Sequence, residues 1–126
     1  MNTEIYADAI ISVVLDTPRT QLRDVIASDP PCSKSAAIDA LEQDGKGFMP
    51  RVACDGGPDG LQLVKPIINK APQYLKRNGL LSLCLPPWQH VIENVPSHVR
   101  ASGAYTNPVV LKDGHEQACA VFAHAR

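Results

Sequence analysis

No run of like charge appears in this 126-residue sequence: 12 Lys and Arg stand against 13 Asp and Glu, a formal net charge of −1. That balance excludes an electrostatic hold on nucleic acid or a membrane surface as the expected mode of action. Long hydrophobic runs are absent too. The stretch Ala9–Leu15, AIISVVL, falls far short of the ~20 apolar residues that a membrane-spanning helix needs. The opening Met-Asn-Thr-Glu lacks the basic region and apolar stretch of a secretory signal, so a cytoplasmic protein is expected. Close cysteine pairs are missing as well. Cys32, Cys54, Cys84 and Cys119 are widely spaced within apolar segments, which argues against a disulfide framework or a zinc site and for buried free thiols. His90, His98, His115 and His124 add no ligand spacing, and no metal is expected.

What is present suits one small domain over residues 1–126, with 44% hydrophobic and 20% charged residues. Ala9–Leu15 is rich in β-branched residues and reads as a buried strand, and Asp24–Ser28 reads as a second, stopped by Pro30 and Pro31. Ser33–Gln43 holds good helix formers but few large apolar groups. Asp44–Phe48, DGKGF, contains a G-x-G with no strand before it and no helix close behind, so it is not a dinucleotide fingerprint.

In DGGPDG, Asp55–Gly60, the glycines supply a turn and Asp59 is expected to cap a helix. Leu61, Val64, Ile67, Ile68, Ala71, Tyr74 and Leu75 follow at helical spacing. Pro66 and Pro72 predict a kink or a break, and Lys76, Arg77 and Asn78-Gly79 predict the helix's last turn and stop. Leu80–Leu85, LLSLCL, reads as a strand buried on both faces. Trp88, Val91, Ile92, Val95 and Val99 mark the buried face of a helix that ends near Gly103, with Gln89 exposed on it. The closing PVVLKDGHEQACAVFAHA reads as a hairpin. The class is α/β, with a mainly parallel sheet and an antiparallel C-terminal hairpin.

Two stretches in order carry a resemblance. DVIASDPPC, Asp24–Cys32, resembles the strand and tetrapeptide (Asn or Asp, Pro, Pro, aromatic) of adenosylmethionine-dependent N-methyltransferases. PRVACDGGPDGLQLVKPIINKAPQYLKRNGLLSL, from Pro50, is similar to the segment that follows it in the release-factor (protein-glutamine) methyltransferases. The likeness spans roughly residues 10 to 126 and is specific between Asp24 and Leu83. It implies the C-terminal part of a Rossmann-like methyltransferase sheet of strand order 3-2-1-4-5-7-6, of which this chain would hold 4-5-7-6 as a contiguous block.

The resemblance also implies chemistry. Asp29 and the carbonyl of Pro30 would accept hydrogen bonds from a planar amide or amine nitrogen and orient it for methyl transfer. Pro31 and Cys32 would contact the substrate, Cys32 standing where the family has a stacking aromatic. Such stacking is worth about 1–3 kcal/mol where probed on bases, and a thiol supplies little of it. Asp16 matches an aspartate near the cofactor's adenine. The family's Gly-rich cofactor loop is absent from the sequence. An active enzyme would therefore take adenosylmethionine through a partner chain or an N-terminal portion, with a release factor as substrate. The alternative is a non-catalytic module for binding or oligomerisation. In either case Asp24–Ser28 is an apolar edge, expected to pair with Ile10–Leu15 or to be covered by another chain.

Overall fold

The computed structural model describes residues 22–45 and 50–126. The expected strand at Ala9–Leu15, its pairing, and Asp16 lie outside the described residues. β1 (Arg23–Ser28) runs parallel to β2 (Leu75–Cys84), with Val25 opposite Leu80 and Ser28 opposite Leu83. β3 (Val109–Lys112) and β4 (Ala118–His124) form the expected hairpin, and β4 lies antiparallel to β2. The sheet order is β1-β2-β4-β3, which is the 4-5-7-6 block in this chain's numbering. The sheet is mixed: β1 and β2 are parallel, and the other pairings are antiparallel.

Among the described residues four α-helices join the strands: α1 (Ser35–Gln43), the single turn α2 (Arg51–Cys54), α3 (Val64–Lys70) and α4 (Gln89–Ser102). α1 buries only Ile38, as its small residues foretold. α3 and α4 carry the core: Val64, Ile67 and Ile68 from one, Val91, Val95 and Val99 from the other, packed with Leu81, Leu83, Val121 and Ala123 of the sheet. Each such fully buried aliphatic side chain contributes about 1.5–3 kcal/mol.

β2 corrects one expectation. Leu81, Leu83 and Leu85 are buried, but Leu80 and Ser82 are half-buried and Cys84 is exposed. Leu81 and Leu83 share the face that meets the helices of the core, while Leu80, Ser82 and Cys84 alternate onto the other.

The region between Asp59 and Gly79 corrects two more. Asp59 caps no helix: its Oδ1 accepts the Leu61 N–H at 2.8 Å, closing a turn, and α3 begins later, at Val64. Gly60 has φ +77°, a left-handed angle that a right-handed helix cannot include. Pro66 falls in the first turn of α3, where a missing N–H costs nothing, and Pro72 falls in a 3-10 turn, Ala71–Gln73, that ends the helical segment.

Lys76 and Arg77 therefore lie in β2, not in a last helical turn. The register jumps from Arg23↔Leu75 to Val25↔Leu80, so the intervening residues bulge. Asn78 takes φ +64° there and donates its N–H to the Ala125 carbonyl at 2.9 Å, while Lys76 pairs with Asp24 at 3.0 Å. α4 ends at Gly103, as expected, with φ +69° and its N–H on the Arg100 carbonyl.

Candidate functional site

β1 ends where Pro30 removes a ladder donor. Asp29, Pro30, Pro31 and Cys32 then turn along an open groove of about 480 Å³ at the C-terminal ends of the two parallel strands. That is the end of an open α/β sheet where ligands bind. The opposite wall comes from Cys84, Leu85, Pro86 and Trp88, just past β2. All four tetrapeptide residues that the resemblance marked thus line one groove. Asp29 is exposed; Pro30, Pro31 and Cys32 are buried.

DGGPDG explains how this loop keeps its shape. Ser33 and Asp55 form a parallel bridge: the Ser33 N–H donates to the Cys54 carbonyl at 2.9 Å, and the Gly56 N–H donates to the Ser33 carbonyl at 2.7 Å. The Ser35 N–H reaches the Gly57 carbonyl at 3.0 Å. The fit is so close that a Cβ on Gly56 would sit 2.8 Å from the Pro31 carbonyl oxygen, and one on Gly60 would sit 2.6 Å from that of Cys32. These glycines are required because backbone lies against backbone.

Asp55 is the polar centre of this buttress. Its Oδ1 accepts the Ser35 hydroxyl at 2.6 Å and the Gly57 N–H at 2.9 Å, and its Oδ2 accepts Arg51 Nε at 2.9 Å. Burial opposes its ionisation, but the hydrogen bonds from Ser35, Gly57 and Arg51 outweigh burial and hold the carboxyl below the usual carboxylate range. Arg51 also reaches Asp39 and Glu42 of α1, tying that helix to the same loop.

The fold holds Cys32 in its protonated thiol form. Its thiol donates to the Pro30 carbonyl at 3.2 Å. Burial, reinforced by the nearby Asp29 charge, pushes its pKa from 9.0 up to about 12. Among the described residues all four cysteines are free, and no His, Cys, Asp or Glu cluster could hold a metal ion.

One groove residue, Trp88, was expected elsewhere, and His90, which supports it, carried no role in the sequence. Trp88, expected in the core, is 44% exposed in the extended residue before α4 and lines the groove. Its ring stacks on His90 at a centroid distance of 5.9 Å and an interplanar angle of 24°. His90 Nε2–H in turn donates to the Cys32 carbonyl at 2.8 Å, across 58 residues of sequence. The available signal was position: Trp88 follows Pro86-Pro87 at the C-terminal end of a parallel strand. Gln89 is exposed, as expected, and bonds to Glu93.

The four-stranded sheet, parallel at β1-β2 and antiparallel beyond, with its helices, is a partial Rossmann-like α/β fold. No family model matches the chain. Curated proteins do. The release factor glutamine methyltransferase of Thermosynechococcus vestitus is 33% identical over 94 residues, 73% of this chain and 32% of that protein. That of Moorella thermoacetica is 38% identical over 90 residues, 71% of this chain and 31% of that protein. A ribosomal protein uL3 glutamine methyltransferase of Xylella fastidiosa is 44% identical over 57 residues, 45% of this chain and 18% of that protein. The chain is homologous to the C-terminal part of the release factor glutamine methyltransferases. It spans about a third or less of the length of these relatives.

Proposed function

We propose that this chain is the acceptor-orienting part of a protein-glutamine N-methyltransferase. Asp29 and the Pro30 carbonyl take the two N–H groups of a primary carboxamide, and Pro31 and Cys32 form the wall beside it. One observation carries this: the four residues line a single open groove, and the 54–60 loop packs against the Pro31 and Cys32 carbonyls and bonds to the backbone of Ser33 and Ser35 just beyond. Among the described residues the Pro30 carbonyl accepts only a thiol, a weak donor, and a carbonyl oxygen has a second lone pair for a stronger one. Orientation of this kind is the chain's contribution to catalysis. A release factor is the substrate that the relatives' names suggest, in the cytoplasm, and residues 1–126 act as one truncated methyltransferase-like domain.

The resemblance implies adenosylmethionine as methyl donor, and the described residues do not fit it. Their clustered glycines are closed over: a Cβ on Gly57 would lie 2.4 Å from Gln62 Oε1, and one on Gly56 would lie 2.5 Å from the Gly60 carbonyl oxygen. No cradle is open for a nucleotide there. Asp16 remains the one residue assigned to the donor, and it lies outside the described residues. The donor is brought by a partner chain or by a further portion of a longer enzyme.

Titration with acetyl-glutamine N-methylamide, followed by the backbone amide resonances of Asp29, Cys32 and Ser33, tests the proposal. Those signals move with the glutamine compound and stay still with its glutamate analogue, because acceptors cannot bind a carboxylate. Asp29→Ala abolishes the shifts. A wild-type protein whose three signals ignore the glutamine compound overturns the proposal. A second reading, a non-catalytic module that associates through its sheet, is favoured by β1, an edge among the described strands, where Val25 is 54% exposed.

A further inference from the structure

We propose that Trp88 is the aromatic face of the groove and stacks on the planar group that Asp29 and Pro30 hold; this rests on the reading of those two residues as amide acceptors. Cys32 cannot serve. It lines the groove but is only 4% exposed, and its thiol is engaged with the Pro30 carbonyl. Trp88 is the aromatic residue that lines the groove, nearly half-exposed.

Its position is held from the same loop that it would serve. The indole stacks on His90 at 5.9 Å, and His90 is bonded through Nε2 to the Cys32 carbonyl. The ring is therefore anchored to the tetrapeptide's own backbone, so aromatic and acceptors keep a fixed spacing. The lining also selects the ligand. Pro30, Pro31 and Pro86 have no N–H, Asp29 brings a carboxylate, and Trp88 brings a π-face. Such a wall favours a flat group rich in N–H donors: the terminal carboxamide of a glutamine side chain.

Trp88 is the chain's single tryptophan, so its fluorescence reports this site without interference. Titration of the intact chain with acetyl-glutamine N-methylamide changes that fluorescence with the same midpoint as the amide resonances of Asp29, Cys32 and Ser33. Trp88→Ala weakens binding about tenfold, within the range expected of lost stacking, while Trp88→Phe keeps most of it. Retention of the wild-type amide spectrum away from the groove shows that both variants are folded. If Trp88→Ala binds with an unchanged midpoint, the stacking role is overturned and the amide-acceptor reading stands. If the wild type shows no shift, both fall. Tighter binding of acetyl-arginine N-methylamide than of the glutamine compound also overturns the proposal, because the groove would then select a planar cation.

Discussion

Cys32 links the acceptor loop to the protein's stability in alkali. Its thiol titrates near 9.0 when free and near 12 in the fold, so the folded state holds a proton that the unfolded chain has released. Stability from this group is complete below about pH 9 and is lost as pH rises toward 12. Tyr105 acts in the same direction: burial raises its pKa while its hydroxyl donates to the Ile68 carbonyl at 2.6 Å. Urea midpoints measured at steps across this range fall with pH, and Cys32→Ala makes the fall shallower. An equal slope in the variant would mean that the thiol titrates normally. His98 shows the opposite case on α4: burial, then the charge of Lys65, lowers its pKa. At this scale the sequence was a fair guide to identity and a poor one to exposure. Asp29 to Cys32 were legible as a motif. Trp88 was not, because apolar spacing marks a helix face without saying where that face begins.

At the scale of elements, glycine separates two kinds of demand. Gly60 and Gly103 both have left-handed φ, +77° and +69°. A Cβ on Gly103 meets nothing within 4 Å, whereas one on Gly60 meets the Cys32 carbonyl oxygen and His90 Nε2, each at 2.6 Å. Gly103→Ala should cost about 1–2 kcal/mol, the backbone strain alone. Gly60→Ala should cost about 3 kcal/mol or more, since overpacking adds to the strain, and should disturb the amide signals of Cys32 and Ser33. Equal costs from urea denaturation would show that the buttress gives way freely. The C-terminal stop of α4 was legible for a local reason, the glycine itself. The end of α3 was not: residues 75–79 carry a helical pattern and a helix-stop signal, yet they join a sheet. The pairing with Arg23 and the bond from Asn78 to Ala125 outweigh that local preference, and both partners are remote in sequence.

For the whole molecule, β1 is an edge among the described strands, with Val25 54% and Leu22 36% exposed beside it. An apolar sheet edge is a template for pairing. Sedimentation is expected to show association that grows with concentration, and Val25→Lys is expected to remove it by placing a charge on that edge. A wild type that stays monomeric at every concentration would leave the oligomerising alternative without support. No helix of the described residues is long and apolar enough to cross a membrane.

Read alone, the sequence determined the strand stop at Pro30, the hairpin, the glycine that ends α4 and the likeness to glutamine methyltransferases. Each of these depends on residues close together in the chain or on a contiguous motif. Only the tertiary structure decided that Asp29–Cys32, Asp55–Gly60 and Trp88–His90 form one unit. The contacts that join them are backbone bridges, a ring stack and one histidine bond across 58 residues, and long-range packing of that kind leaves no period in the sequence. DGGPDG is a turn by composition; the fold makes it the mould against which the acceptor loop is shaped.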